Sequence, residues 1–442
     1  MFAQSSTSPT AESSNRAAWF THDRFGMMIH FGLYSIPAGI WKGEPMGRNW
    51  YAEWIQVQGN WPQGIPAFEY RALAESFNPV DFDAREWISE LAGAGMGYIV
   101  VTSKHHDGFA LWPSKVSDYN VVDATPFKRD IIGEIKAACD EFDIKFGLYY
   151  SHWLDWDHPY GGRPHEDECH SEPRWAQPSQ DQFEVYWQEK SLAQVRELIE
   201  AYDPKLFWFD TWSSNSTPFI NERRMDELIG MIRTMSPNCL INSRIGTWGH
   251  SKGTSVIDYL SMGDNQFPDE TLAQPWETAV TMRHSYGDNQ LDFNWKSTRA
   301  MLAQLTASAS RGGNYTLNCG PKASGTLSRP EVRRLREFGA WFSANGEAIY
   351  GACPNPLPAQ SWGEITSRKL DAGATLLYLH LTRPPSTDTL TVAGLATAPS
   401  VAYVLETGQP LITRVTGDTI EVDIPAEVDR DIIPVFVLRL PG

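Results

Sequence analysis

The sequence predicts a (β/α) barrel followed by a C-terminal β-sandwich, and three observations lead there. Short apolar and β-branched runs alternate with longer helical patterns from about residue 24 to 345, as βα units around a parallel sheet do. The unit recurs too often for an open doubly wound sheet, and no G-x-G-x-x-G opens a helix after a strand, so a dinucleotide-binding fold has no support. From about residue 351 the pattern changes to short alternating strands with turn residues between them and almost no helical period. The expected organisation is a disordered leader at 1–18, a barrel domain at 19–350 and a β-sandwich domain at 351–442.

The expected barrel strands are "FGMMIHFG" (25–32), "GYIVVTS" (97–103), "KFGLYYS" (145–151), "LFWFDT" (206–211), "CLINSR" (239–244), "VIDYLSM" (256–262) and "NYTLNCG" (314–320). Helical stretches fall between several of them: "DAREWISELAGAG", "RDIIGEIKAACDEF", "EVYWQEKSLAQVRELIEAY", "RRMDELIGMIRTM" and "KSTRAMLAQLTASAS". The sandwich strands are "ATLLYLHLT", "DTLTVAGL", "SVAYVLET", "DTIEVDI" and "IIPVFVLRL".

Composition narrows the function. No uninterrupted apolar run approaches the roughly 20 residues that span a bilayer, so a membrane span is not expected. The excess of 54 acidic over 37 basic residues gives a formal charge of -17, which repels phosphate backbones and argues against nucleic acid as a partner. Eighteen tryptophans, with 16 tyrosines and 20 phenylalanines, supply aromatic faces on which sugar rings stack, although an aromatic core would account for them equally well. The five cysteines (Cys139, Cys169, Cys239, Cys319, Cys353) are scattered, without C-x-x-C pairing, so neither a disulfide framework nor a structural zinc site is indicated. The polar start "MFAQSSTSPTAESSNRAA" has no charged n-region or apolar h-region. Its "FAQSS" resembles the surroundings of a small-residue cleavage site, which would fit a periplasmic or secreted protein; without an export signal the cytoplasm is expected.

Polar residues cluster where the expected strands end, the face on which barrel enzymes carry their chemistry. His30 closes the first strand, "KHHDGF" (104–109) follows the second, and "YSHWLDW" (150–156) follows the third. Asp210 ends "LFWFD", Arg244 ends "LINSR", and Asp264 lies in "LSMGDN". Burying an ionised carboxylate among aromatics costs several kcal/mol unless it is paired, so Asp210 within "LFWFDTW" demands a reason. His105 and His106 are adjacent and point to opposite faces of an extended chain, which suits hydrogen bonding to hydroxyl groups better than joint metal chelation. "HEDECH" (165–170) spaces its histidines five apart where H-E-x-x-H needs four, and reads as a solvated acidic loop. Asp258 and Glu277 are further acids near the rim, each either catalytic or a structural partner for Arg244. Asp107 and Asp155 read as caps or partners of nearby bases, and no G-x-S-x-G supplies a serine nucleophile. A barrel, abundant aromatics and carboxylates at strand ends point to glycoside hydrolysis, in which two carboxyl groups flank the scissile bond.

The segments "RFGMMIHFGLYSIPAG", "YIVVTSKHHDGFALWPSKVSDYNVVD", "RDIIGEIKAACDEFDIKFGLYYSHWLDW", "LFWFDTW", "PWETAVTMRHSYGDN", "GGNYTLNCGP" and "NGEAIYG" resemble the glycoside hydrolase family 29 α-L-fucosidases. The likeness is collinear from about Trp19 to Gly351. It implies a retaining exo-α-L-fucosidase acting on a fucosylated oligosaccharide or glycoconjugate, with a barrel, a C-terminal sandwich and neither metal nor organic cofactor. By motif position Asp210 would be the nucleophile. His30, His105, His106 and Tyr150 would bind sugar hydroxyls, Trp208 would shape the floor, and Arg244 would support the nucleophile. Trp50 falls where the family has a sugar-contacting aromatic residue after a glutamate; Asn49 precedes it here, so one hydroxyl contact is expected to differ. The acid/base transfers least directly. Counting back from "PWET" places it at Asp264, with Glu277 next and Glu270 third, and an aspartate requires its loop to approach more closely than a glutamate would. An α-L-galactosidase or other L-sugar hydrolase on the same scaffold is the rival enzyme, marked by a polar partner near the methyl pocket. A catalytically inactive fucose-binding barrel is the rival from another class. Linkage preference and assembly into a homo-oligomer stay open.

Overall fold

A computed structural model of the chain describes residues 16–47, 50–57, 64–164, 175–211, 218–246, 257–383, 385 and 387–442. Eight parallel strands form one sheet: β1 Phe25–Ile29, β2 Tyr98–Lys104, β3 Lys145–Tyr150, β4 Leu206–Phe209, β5 Leu240–Ile241, β6 Leu260–Ser261, β7 Trp276–Thr281 and β8 Asn314–Cys319. Their order, β5-β4-β3-β2-β1-β8-β7-β6, is sequential around a curl. Its two edges meet through a parallel bridge between Asn242 and Tyr259, where Asp258 N donates to the Ile241 carbonyl at 2.9 Å and Ser243 N to that of Tyr259 at 3.0 Å. β7 is a strand the sequence reading did not separate, because its "WETAVT" carries an acid in its second position. β5 and β6 are two residues each, shorter than expected. The histidine-rich run at 165–170 and Trp212 lie outside the described residues.

Helices cover the outside of the sheet, and their starts are set by the chain. Asp83 caps Ala84–Gly93 by accepting from Arg85 N and Glu86 N, and Asp130 caps Ile131–Glu141 by accepting from Gly133 N. Arg329–Asn345 opens with a Ser328/Glu331 capping box. The helical run "EVYWQEKSLAQVRELIEAY" is interrupted by a π-helical segment, Trp187–Leu192, between Gln180–Tyr186 and Ala193–Tyr202.

Period-two alternation sorts each strand between two apolar layers. Phe25, Met27, Ile29, Ile99, Val101, Leu148, Tyr150, Phe207 and Phe209 face the helices. Met28, Tyr98, Val100, Tyr149, Leu206, Trp208, Leu240, Tyr259 and Ala279 fill the barrel. Gly26 makes room for this filling, since a Cβ there would lie 2.3 Å from the Tyr98 ring. Phe20 packs at the same level, with ring centroids 5.3 Å from Tyr98 and 4.5 Å from Tyr259.

The C-terminal part holds two antiparallel sheets. Its strands are β9 Glu364–Lys369, β10 Thr375–His380, β11 Thr389–Ala393, β12 Val401–Val404, β13 Thr413–Thr416, β14 Thr419–Asp423 and β15 Val435–Leu440. The orders are β9-β10-β15-β12 and β11-β14-β13. Ile365, Leu377, Leu379, Phe436 and Leu438 of the first pack with Leu390, Val392, Ile420 and Val422 of the second. Trp341 Nε1 donates to the Ile433 carbonyl at 2.8 Å, joining this part to the barrel helices.

Glu277 of β7 points into the barrel and is fully buried. It accepts from Ser261 Oγ at 2.7 Å, from Thr316 Oγ1 at 2.8 Å and from Trp208 Nε1. Burial pushes its carboxyl above the usual range while these donors pull it back. Glu277→Ala would leave three buried donors without an acceptor and should lower stability by about 2 to 4 kcal/mol. Urea unfolding monitored by fluorescence measures this, and an unchanged transition midpoint would refute it.

Candidate active site

At the C-terminal ends of the strands lies a cavity lined by Met28, His30, Tyr51, Glu53, Trp54, His105, Tyr149, Trp208, Asp210, Arg244, Asp264, Ala279 and Tyr286. The space among these side chains is about 310 Å³ and is continuous with solvent at the rim. Asp210 follows β4 in the parity of Leu206 and Trp208, so its carboxylate rises over the barrel filling instead of facing the helices. Tyr149 OH donates to Asp210 Oδ2 at 2.8 Å, and Arg244 Nη1 donates to Oδ1 at 2.9 Å. His106 Nε2 stands 3.6 Å from Oδ2. Burial raises the proton affinity of Asp210, and the charge of Asp264 adds to that, while Arg244 and Tyr149 oppose both.

Arg244 also donates through Nη2 to Asp264 Oδ1 at 2.7 Å and to the Met262 carbonyl at 2.8 Å. Its guanidinium lies over the Trp208 ring, 4.8 Å from the centroid. Burial alone would weaken its hold on a proton; Asp264 and Asp210 more than offset that. The Asp264 side chain is 36% exposed against 11% for Asp210, so one carboxylate sits at the rim and the other beneath it.

Burial lowers the imidazoles. His30 is pushed down to about 4, and His105 and His106 fall well below their ordinary range. Neutral rings each offer one donor and one acceptor, which suits sugar hydroxyls. His30 Nδ1 is 2.8 Å from Asn318 Oδ1, His106 Nδ1 is 2.7 Å from Ser151 Oγ, and His105 Nδ1 is buried without a partner among the described residues. Among those residues no three His, Cys, Asp or Glu side chains are grouped to hold a metal ion.

The structure brings together His30, His105, Trp208, Asp210, Arg244 and Asp264, with His106 directly behind Asp210. It turns Tyr150 away: its OH donates to Gln194 Oε1 at 2.9 Å on the helix side, because strand alternation gives the inward position to Tyr149, paired in register with Trp208. Glu277 lies under Trp208 and does not reach the cavity. Trp50 is not among the lining residues; Tyr51, Glu53 and Trp54 from the same stretch are. Asp258 is not a partner of Arg244, since it pairs with Arg16 at 2.5 Å and Arg233 at 2.6 Å. Glu270 is exposed. Asp155 pairs with Lys104 at 3.1 Å and Lys190 at 2.8 Å, and Asp107 accepts from Tyr70 OH at 2.9 Å.

Glu53 is an acid the sequence reading passed over. It accepts from Gly287 N at 2.7 Å, and burial pushes its carboxyl from the ordinary 4.5 up to about 7. The folded chain therefore binds more protons than the unfolded chain between those values, so stability falls as pH rises through that window. Glu53→Gln should remove that part of the pH dependence, a difference on the order of 3 kcal/mol between acid and neutral pH. Urea unfolding of both proteins at pH 4.5 and pH 8 tests it; parallel pH profiles would show that Glu53 is ionised throughout.

The chain matches the sequence profile of the family described as Alpha-L-fucosidase over residues 1–347. It is 31% identical over 357 residues to the plasma alpha-L-fucosidase of Homo sapiens, covering 77% of this chain and 71% of that protein. Among solved structures, an alpha-L-fucosidase from Lactobacillus casei in complex with its alpha-L-fucose product is 39% identical with a TM-score of 0.65, covering 75% of this chain and 99% of that one. A trapped covalent intermediate of a GH29 alpha-L-fucosidase from Bacteroides thetaiotaomicron, formed with 2-fluoro-fucosyl fluoride, superposes with a TM-score of 0.83 at 27% identity, covering 99% and 98% of the two chains. Collinear motifs, a sequentially ordered parallel barrel and these likenesses agree, and the chain belongs to the glycoside hydrolase family 29 α-L-fucosidases.

Proposed function

We propose that the chain works as a retaining exo-α-L-fucosidase in which Asp210 is the nucleophile and Asp264 the general acid/base. The observation that carries this reading is the pair of carboxylates held by one guanidinium, one buried under the cavity and one at its rim. In the first step Asp210 Oδ attacks the anomeric carbon. The bond to the leaving oxygen breaks with its electron pair, and that oxygen takes the proton of Asp264, giving a fucosyl ester and a free alcohol. In the second step Asp264, now ionised, removes a proton from water as its oxygen attacks the same carbon, and Asp210 departs as a carboxylate. Water must reach the base in this step, which favours the rim carboxylate for that role and excludes Glu277. In the active complex the two carboxyl groups should stand about 5 to 5.5 Å apart.

His30 and His105 supply neutral hydrogen-bonding edges for the sugar, with His106 behind Asp210; Trp208 supplies a flat floor, and Met28 and Ala279 apolar surface of the kind a C6 methyl group requires. A site whose floor is closed by the barrel filling takes a terminal residue rather than an internal one. The proposed substrate is thus a terminal α-L-fucosyl group on a glycan.

A 2-fluorofucosyl reagent should label the wild type on Asp210, read by peptide mass spectrometry, and Asp210→Asn should abolish both turnover and labelling. Labelling on another acid would reassign the nucleophile. Asp264→Ala should slow fucosides of sugar alcohols by about 100-fold or more and nitrophenyl fucoside far less, with azide restoring turnover of the latter and yielding fucosyl azide of retained configuration. If Glu277→Ala behaves so and Asp264→Ala does not, the roles must be exchanged.

A further inference from the structure

Asp264 is a short acid on a loop, partly open to solvent, and among the described residues its carboxylate bonds to one side chain, that of Arg244. A proton donor must nonetheless meet the leaving oxygen within a few tenths of an ångström, and a misplacement of about 1 Å can cost on the order of 100-fold in rate. The fixing comes from the next residue. Asn265 adopts a left-handed backbone with φ of 55°, a conformation asparagine tolerates better than most side chains. Its backbone N donates to the carbonyl of Ala279, a cavity-lining residue of β7, at 3.0 Å. Its side-chain Oδ1 accepts three times at the end of the same strand: from Thr281 N and Thr281 Oγ1, both at 3.1 Å, and from Lys296 Nζ at 2.8 Å. Lys296 Nζ donates in turn to the Thr281 carbonyl at 2.7 Å. Its backbone is held at both ends, with N donating to the Met282 carbonyl at 2.9 Å and the carbonyl accepting from Arg334 Nε at 2.8 Å.

We infer that Asn265 and Lys296 are positioning residues for Asp264, stapling its turn to the end of β7 so that an aspartate can do what a longer acid would do from a looser loop. A glycine would meet the backbone requirement alone, so the amide is present for what its oxygen accepts. An aspartate would give Lys296 an ion pair but would set a second carboxylate beside Asp264 and compete for its proton. The cost of the neutral choice is visible in Lys296: no carboxylate pairs with it among the described residues, and burial brings it down to about 8. The inference rests on the acid/base reading of Asp264 given above.

Asn265→Gly keeps the left-handed turn and deletes the staple; Lys296→Met removes the shared donor and serves if the first variant folds poorly. Each is assayed with nitrophenyl fucoside and with a fucosyl disaccharide, beside Asp264→Ala, and L-fucose inhibition constants report sugar binding. Both variants should lose about tenfold to 100-fold in kcat/KM on the disaccharide, less than about threefold on the nitrophenyl substrate, and nothing in L-fucose affinity. Equal losses on the two substrates, or none, while Asp264→Ala shows the asymmetry, would overturn the positioning role alone. Absence of the asymmetry in Asp264→Ala itself would overturn the acid/base reading and this inference with it.

Discussion

The guanidinium of Arg244 is the interaction on which the site depends. Two carboxylates at the mouth of a low-dielectric barrel repel each other, and a cation between them offsets that repulsion. Arg244 meets both through separate nitrogens and spends a further donor on the Met262 carbonyl, a three-way task for a planar fork and not for a point charge. Its own position is inherited from below. It lies over Trp208, whose indole N–H is anchored by Glu277, which two hydroxyl groups from β8 and β6 hold in turn. A line of contacts thus runs from the barrel filling to the two carboxylates at the cavity, and the buried Glu277 meets Trp208 rather than the cavity itself.

The remaining ionisable groups around the cavity are held neutral. Burial keeps three imidazoles without charge and keeps a proton on Glu53 to about pH 7. This leaves Arg244 with little competition as the cation that Asp210 and Asp264 feel, and it lines the cavity with groups that can donate and accept without a large desolvation cost. An oxocarbenium-like transition state gains positive charge next to Asp210; charged histidines there would oppose it.

Much of this was legible in the sequence because the barrel writes its geometry as a period of two. Leu206, Trp208 and Asp210 share one parity, and the acid among aromatics marks a strand end that opens onto the cavity. The same rule, carried one strand further, would have chosen Tyr149 over Tyr150, since Tyr149 is the register partner of Trp208; proximity to the strand terminus misled where parity decides. Glu53 lies in "YAEWIQ", an acid beside aromatics just as Asp210 is, and the argument applied to one would have found the other. Trp50, three residues earlier, is the more conspicuous side chain of that stretch, and no strand pattern announces the loop. β7 stayed hidden for the opposite reason: an inward glutamate breaks an apolar run, and only the donors of Ser261, Thr316 and Trp208, brought in from other strands, make that acid tolerable. No local pattern carries such information.

Buried acids near the strand ends therefore divide by how they are compensated and by what they face. Asp155 has two lysines to itself; burial opposes its ionisation, but the two ammonium groups hold the carboxyl far below the ordinary range. Asp258 has two arginines to itself, and a backbone N–H besides. Both are saturated, closed to solvent and bound to structure. Among the described residues Glu277 bonds to no cation but to three neutral donors, and it does not line the cavity. Asp210 is different in kind: it shares a single cation with another carboxylate, its proton affinity is raised, and it opens onto empty space. Burial by itself does not mark a catalytic acid, since Glu53, Asp107, Asp155, Asp258 and Glu277 are all as closed to solvent as Asp210. Incomplete compensation at a surface where a substrate can complete it is the narrower test: it leaves Asp210 and Glu53, which both line the cavity, and of these it is Asp210 that shares Arg244 with the rim carboxylate of Asp264.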